Sequence, residues 1–141
     1  MKISTKGRYA LRVMIDLATN NNGEFISLTD IANRQGISNK YLEQIFSSLK
    51  RSKLVISTAG KLGGYKLSRP ADEISILDVI TVMDGGIIPI HCVNNRECSV
   101  CSQCSINGLW VEMKNHMEEY LKHINIASLS DKKYPVLGCP D

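Results

Sequence analysis

Apolar residues at helical spacing dominate the first fifty positions. Tyr9, Ala10, Val13, Met14, Leu17 and Ala18 recur along one face behind Ser4 and Thr5, two side chains suited to capping, and predict a helix over about residues 5 to 20. Asn20-Asn21-Asn22-Gly23 ends it, and Phe25-Ile26 makes a short extended piece. Ser27 caps a second helix through Leu28, Ile31 and Ala32 that stops at Gly36. Ser38 caps a third, in which Leu42, Ile45, Phe46 and Leu49 follow the i, i+3, i+4, i+7 rule. Two short helices across a tight turn form a helix-turn-helix pattern over residues 28–51. Ala32 is small where the helices cross, Gly36 can take positive φ, and Ile37, Leu42 and Ile45 fill the joint. A plain helical hairpin needs similar residues, so the pattern alone does not decide between the two.

The period then changes. Leu54-Val-Ile-Ser-Thr and Tyr65-Lys-Leu67-Ser-Arg69 alternate as strands do, joined by the glycine-rich Ala59-Gly60-Lys61-Leu62-Gly63-Gly64. A hairpin directly after a helix-turn-helix makes it winged, and with no phosphate-loop pattern the glycines read as a wing tip over 54–69. Pro70 closes this piece. Ile76, Leu77, Val79, Ile80 and Val82 predict a fourth helix ended by Asp84-Gly85-Gly86. From Leu109 a stripe of Trp110, Met113, Met117, Tyr120, Leu121 and Ile124 is too long for a small domain to cover, and packing on its copy in a second chain would bury it.

The expected class is therefore mainly α with a small β-hairpin wing. A winged helix-turn-helix domain spans 1–84, a loop 85–104, a long dimerisation helix 105–125, and an aperiodic tail 126–141. Charge sharpens the picture, because residues 1–69 hold 12 Lys+Arg against 4 Asp+Glu while residues 70–141 hold 5 against 10. A basic half on an acidic half is an electrostatic footprint for nucleic acid, although solvated lysines are also ordinary surface. With no signal-like segment and no apolar run of membrane-spanning length, the expectation is a soluble cytoplasmic protein with no membrane partner.

The loop carries the candidate chemistry. Cys92, Cys98, Cys101 and Cys104 fall within thirteen residues of a polar stretch that has no reason to be core. In a reducing compartment such a cluster points to metal or redox chemistry ahead of disulfides. Soft thiolates at spacings of five, two and two suit zinc or an iron-sulfur cluster, and the Cys98-x2-Cys101-x2-Cys104 run has ferredoxin-like spacing. A fifth cysteine, Cys139, precedes a proline in the tail and reads as a free thiol. No Ser/His/Asp or paired-carboxylate constellation suggests catalysis, so an electron carrier or other enzyme is disfavoured.

The residues of a recognition helix that reach base edges lie at its N-terminus. They are here Ser38, Asn39, Lys40, Tyr41 and Gln44, with Lys50, Arg51, Lys61, Lys6 and Arg8 on phosphate.

Four motifs together resemble the Rrf2 family of bacterial winged-helix regulators, and within it the IscR and NsrR types that sense through an iron-sulfur cluster. They are Ser4-Thr-Lys-Gly-Arg-Tyr-Ala10, Tyr41-Leu-Glu-Gln44, Gly63-Gly-Tyr65 and Cys92-x5-Cys98-x5-Cys104, and the likeness covers nearly the whole chain. The resemblance implies a homodimer on a double-stranded DNA operator, with Cys92, Cys98 and Cys104 ligating a cluster whose occupancy selects promoters. It favours 2Fe–2S over 4Fe–4S and implies repression of iron-sulfur cluster biogenesis or related stress genes. Asn107 stands where IscR-type members carry a histidine. The fourth ligand is thus open among Cys101, which thiolate chemistry favours, and Glu43, His91 and Asn107. The runner-up is a winged-helix regulator whose cysteines bind structural zinc or act as a thiol redox switch.

Overall fold

The computed structural model describes residues 2–94 and 98–130. Helix α1 (Thr5–Thr19) begins at Ser4, whose hydroxyl accepts the Gly7 amide. Helices α2 (Leu28–Gln35) and α3 (Asn39–Arg51) follow the predicted pattern, each capped by the serine before it, Ser27 and Ser38. Gly36 between them has φ 64°, the left-handed turn conformation that glycine adopts without strain. Strands β1 (Val55–Thr58) and β2 (Gly64–Leu67) pair antiparallel, with Val55 opposite Leu67 and Thr58 opposite Gly64.

Ile26 joins this hairpin as a one-residue third strand, trading backbone hydrogen bonds of 2.9 and 2.8 Å with Tyr65. The approach is so close that a Cβ on Gly64 would sit 2.0 Å from the Ile26 carbonyl oxygen. Phe46 of α3 stacks on Tyr65, fixing the wing against the recognition helix. Beneath lies one core in which Val13, Met14, Leu17, Ile31, Leu42, Ile45, Phe46 and Leu49 are all but fully buried.

Helix α4 (Ile76–Asp84) opens on a reciprocal capping box between Ser75 and Asp78 and ends at Gly85, with φ 78°. At its last residue Asp84 accepts the backbone amide of Ser4 at 3.0 Å and also its hydroxyl, so the end of α4 clasps the start of α1. A Cβ at Gly7 would lie 2.7 Å from Asp84 Oδ2, so a larger residue here would push the Asp84 carboxylate out of the clasp. A short helix α5 (His91–Asn94) interrupts the stretch expected to be loop, and helix α6 (Asn107–Lys122) follows the cysteines.

Two expectations need correction. Residues 126–130 are not part of a loose tail: they form helix α7 (Ile126–Ser130), and Ile126 is fully buried in the core. The junction is stitched by a bridge of Ser75 with Asn125, through hydrogen bonds from Ile76 to the Ile124 carbonyl (2.8 Å) and from Ile126 to the Ile74 carbonyl (2.9 Å). An aperiodic five-residue piece gave no sequence signal because its burial depends on a distant partner. The remaining tail residues, 131–141 with Cys139, lie outside the described residues.

The α6 stripe is also divided. Met117, Leu121 and Ile124 pack on the core of their own chain, while Leu109 (56 % exposed) and Tyr120 (64 %) face outward. Among the described residues no helix is long and apolar enough to cross a membrane.

Candidate nucleic-acid interface and cysteine centre

The recognition helix presents its N-terminal turns outward. Ser38, Asn39, Lys40, Glu43 and Gln44 are exposed, while Leu42, Ile45, Phe46 and Leu49 point into the core. The Ser38 hydroxyl is engaged in capping, accepting the Tyr41 amide at 3.2 Å. Tyr41 is half-buried, its ring meeting that of Tyr9 edge-on with centroids 5.8 Å apart.

Lys50 and Glu43 line a cleft of about 430 Å³ between α3 and the wing, whose other wall is Ser57, Thr58, Gly60 and Tyr65. Lys61 is exposed at the wing tip beside Leu62, which is 92 % exposed, and Arg51 is exposed at the end of α3. The tip is a closed turn, with the Gly63 amide donating to the Gly60 carbonyl at 3.0 Å. Lys6 and Arg8 lie in the first turns of α1. Lys6 is half-buried and reaches Ser48 Oγ of α3 at 3.5 Å, whereas Arg8 is exposed and donates to Thr5 Oγ1 at 3.3 Å. The structure therefore gathers α3 and the wing around one cleft, while Lys6 of α1 reaches the later part of α3 at Ser48 and Arg8 stays with Thr5 in the first turn of α1.

The cysteines occupy the connection between α4 and α6. Cys92 is exposed in α5, and Cys98, Cys101 and Cys104 are half-buried in the turns that lead to α6. Cys101 opens a short 3-10 turn, its amide donating to the Cys98 carbonyl at 3.2 Å. The Asn107 amide donates to the Cys104 carbonyl at 3.2 Å, which joins the cysteine turn to the first turn of α6.

The Cys101 thiol points to Asn107 Oδ1 at 3.6 Å and to the Cys92 carbonyl at 3.9 Å. Desolvation raises its pKa, and nearby Cys98, Cys92 and Cys104 push it the same way. Cys101 thus contacts the backbone of both Cys92 and Cys98 within the same connection. Among the described residues no three His, Cys, Asp or Glu side chains already converge as a metal cage. His91 is exposed at the start of α5, and Glu43 faces the wing cleft.

Residues 3–132 match the Rrf2 family, described as iron-dependent transcriptional regulators. The chain belongs to the Rrf2 family. An Rrf2 relative in Erwinia tasmaniensis, the HTH-type transcriptional regulator IscR, is 37 % identical over 129 residues, covering 92 % of this chain and 78 % of its own. Among solved structures, IscR of T. potens is 33 % identical with a TM-score of 0.73, covering 100 % of this chain and 94 % of its own. CymR, titled the global cysteine regulator of B. subtilis, is 35 % identical with a TM-score of 0.77, covering 94 % of this chain and 98 % of its own. As an Rrf2 protein the chain is a DNA-binding transcriptional regulator of winged-helix fold, and not an enzyme.

Periodicity alone missed a polar group behind the reader of this Rrf2 protein. Asp16, on the buried side of α1, binds Arg34 and Gln35 at the end of α2, and Arg12 binds Gln35 from the same helix. The available signal was a lone carboxylate between Val13 and Leu17 on an otherwise apolar face.

Proposed function

We propose that this Rrf2 regulator is a homodimer that senses through an iron-sulfur cluster held in its cysteine connection, with occupancy controlling which operator it binds. Cys92, Cys98 and Cys104 are the principal ligands and Cys101 is the fourth. The observation that carries this reading is that Cys92, Cys98, Cys101 and Cys104 all fall in the short connection from α4 to α6, where the Cys101 thiol points to the Cys92 carbonyl at 3.9 Å and the Cys101 amide bonds the Cys98 carbonyl at 3.2 Å. The donor set fits the group, because soft thiolates suit iron-sulfur better than the amide of Asn107 does. When bound, the cluster supplies cationic iron that offsets thiolate repulsion and reacts with oxidants and small gases.

The protein's own residues explain why this segment would matter. One end of the connection begins after Asp84, which is clasped to Ser4 at the start of α1, and the other end enters α6 through Asn107. Ordering the connection sets how the first turns of α6, ahead of the core-packed Met117 and Leu121, are held, and the exposed Leu109 and Tyr120 of α6 are the face that a second copy covers. A ligand shifts such an equilibrium only by binding one arrangement better. The favoured version uses 2Fe–2S and represses cluster-assembly or related stress genes.

Iron, acid-labile sulfide and zinc, measured per chain on anaerobically purified protein together with its visible spectrum, test the reading. Iron with equal sulfide and visible charge-transfer bands supports it. Colourless protein carrying stoichiometric zinc, or metal-free protein forming a reversible disulfide, favours the structural-zinc or thiol-switch alternative.

A further inference from the structure

We propose that Asp16 is a positioning residue for DNA reading, holding the end of α2, and with it the turn into α3, at the angle that base contact needs. This rests on Asn39 to Gln44 being the base-reading segment. The Asp16 carboxylate is only 5 % exposed. Arg34 grips it with two donors, Nε at 3.0 Å and Nη2 at 2.7 Å, and Gln35 Nε2 adds a third at 2.7 Å. Asn20 Nδ2, from the end of α1, lies at 3.4 Å from the same group.

Arg34 and Gln35 are the last two residues of α2, directly before the left-handed Gly36. Gln35 is held a second time: Arg12, four residues before Asp16 on α1, donates Nε to its side-chain oxygen at 3.1 Å and Nη2 to its carbonyl at 2.7 Å. The Arg12 guanidinium also lies over the Tyr9 ring, 5.2 Å from its centroid, and Tyr9 meets Tyr41 of α3 edge-on. Contacts from α1, polar to α2 and aromatic to α3, thus reach both sides of the turn.

The chemistry argues for direction over stability. Apolar packing is non-directional and would hold the two helices together without them, and a buried ion pair adds little that a well-packed apolar pair of equal volume would not. A planar guanidinium fork on a carboxylate fixes an angle instead. Arg34, 38 % exposed at its side chain, is moreover used here to reach inward rather than toward phosphate.

The test compares full-length wild type with Asp16→Asn at one salt concentration. The probes are an operator duplex selected on the wild type from a random pool and a mixed-sequence duplex of equal length. The proposal expects a folded variant with unchanged mixed-sequence affinity and salt slope, but a ratio of operator to mixed affinity lowered roughly tenfold or more, the scale of one lost base contact. An unchanged ratio, or equal weakening on both duplexes, overturns it. Gln44→Ala serves as the control: if it lowers the ratio and Asp16→Asn does not, only the positioning role fails, and if neither does, the base-reading assignment fails with it. Should Asp16→Asn not fold, Gln35→Leu, which removes contacts from a half-exposed neutral side chain, decides by the same ratio.

Discussion

Tyr65 of the wing lies flat on Phe46 of the recognition helix, with ring centroids 3.9 Å apart and 14° between the planes. Phe46 is fully buried, so this contact makes the wing an extension of the reading domain's core rather than a hinged flap. Phe46→Ala should cost about 3–5 kcal/mol of stability, the range for truncating a buried aromatic. Urea denaturation followed by circular dichroism checks this, and an unchanged midpoint would mean that the stack holds nothing.

Ile126 gives a second measurement of how far the folded unit extends. Its side chain is fully buried and its amide is bonded to the Ile74 carbonyl, so Ile126→Ala should cost about 2–5 kcal/mol. A loose tail would lose nothing, and the same denaturation curve distinguishes the two.

For the subunit seam, Leu109 and Tyr120 are the informative positions because Met117 and Leu121 already serve their own chain's core. If the exposed edge of α6 is the seam of the proposed dimer, replacing both Leu109 and Tyr120 by Glu should place charge there and yield monomers in sedimentation velocity. A dimer of wild-type stability in that variant would move the seam elsewhere.

DNA binding separates into two kinds of contact. Lys61→Ala at the wing tip should weaken operator and random DNA alike and reduce the slope of log K against log salt by about 0.9, one released counterion's worth. Asn39→Ala or Gln44→Ala should leave the slope near its wild-type value and erode discrimination by about 1 to 3 kcal/mol. Titrations over a salt series measure both; if the lysine change altered discrimination instead, the wing would be reading bases.

Most of the reading domain was legible in the sequence because its signals are local. Ser4, Ser27 and Ser38 announce helix starts, Gly36 a left-handed turn, and the i, i+3, i+4, i+7 pattern of α3 its buried face. The wing followed from alternation and glycine. What escaped depends on partners distant in sequence: the burial of Ile126 beneath Ile74, the Asp84 clasp on Ser4, and the grip of Asp16 on Arg34 and Gln35. The α6 stripe was visible as a stripe, but its division into a covered edge and an exposed one is set by how the helix lies against α4. In the cysteine connection, spacing showed thiol chemistry, while the pairing of the Cys101 thiol with Asn107 is a contact no spacing rule contains.

The central claim is that the cysteine connection senses through what it binds, and one comparison tests it most directly. Operator affinity is measured anaerobically for the wild type as purified and for the triple variant Cys92→Ala, Cys98→Ala and Cys104→Ala. The account predicts that the variant carries no iron, keeps its fold and its binding to random DNA, and changes its affinity for at least one operator by about tenfold or more, a coupling of typical allosteric size. Binding of every tested operator by the iron-free variant just as by the iron-loaded wild type would contradict it.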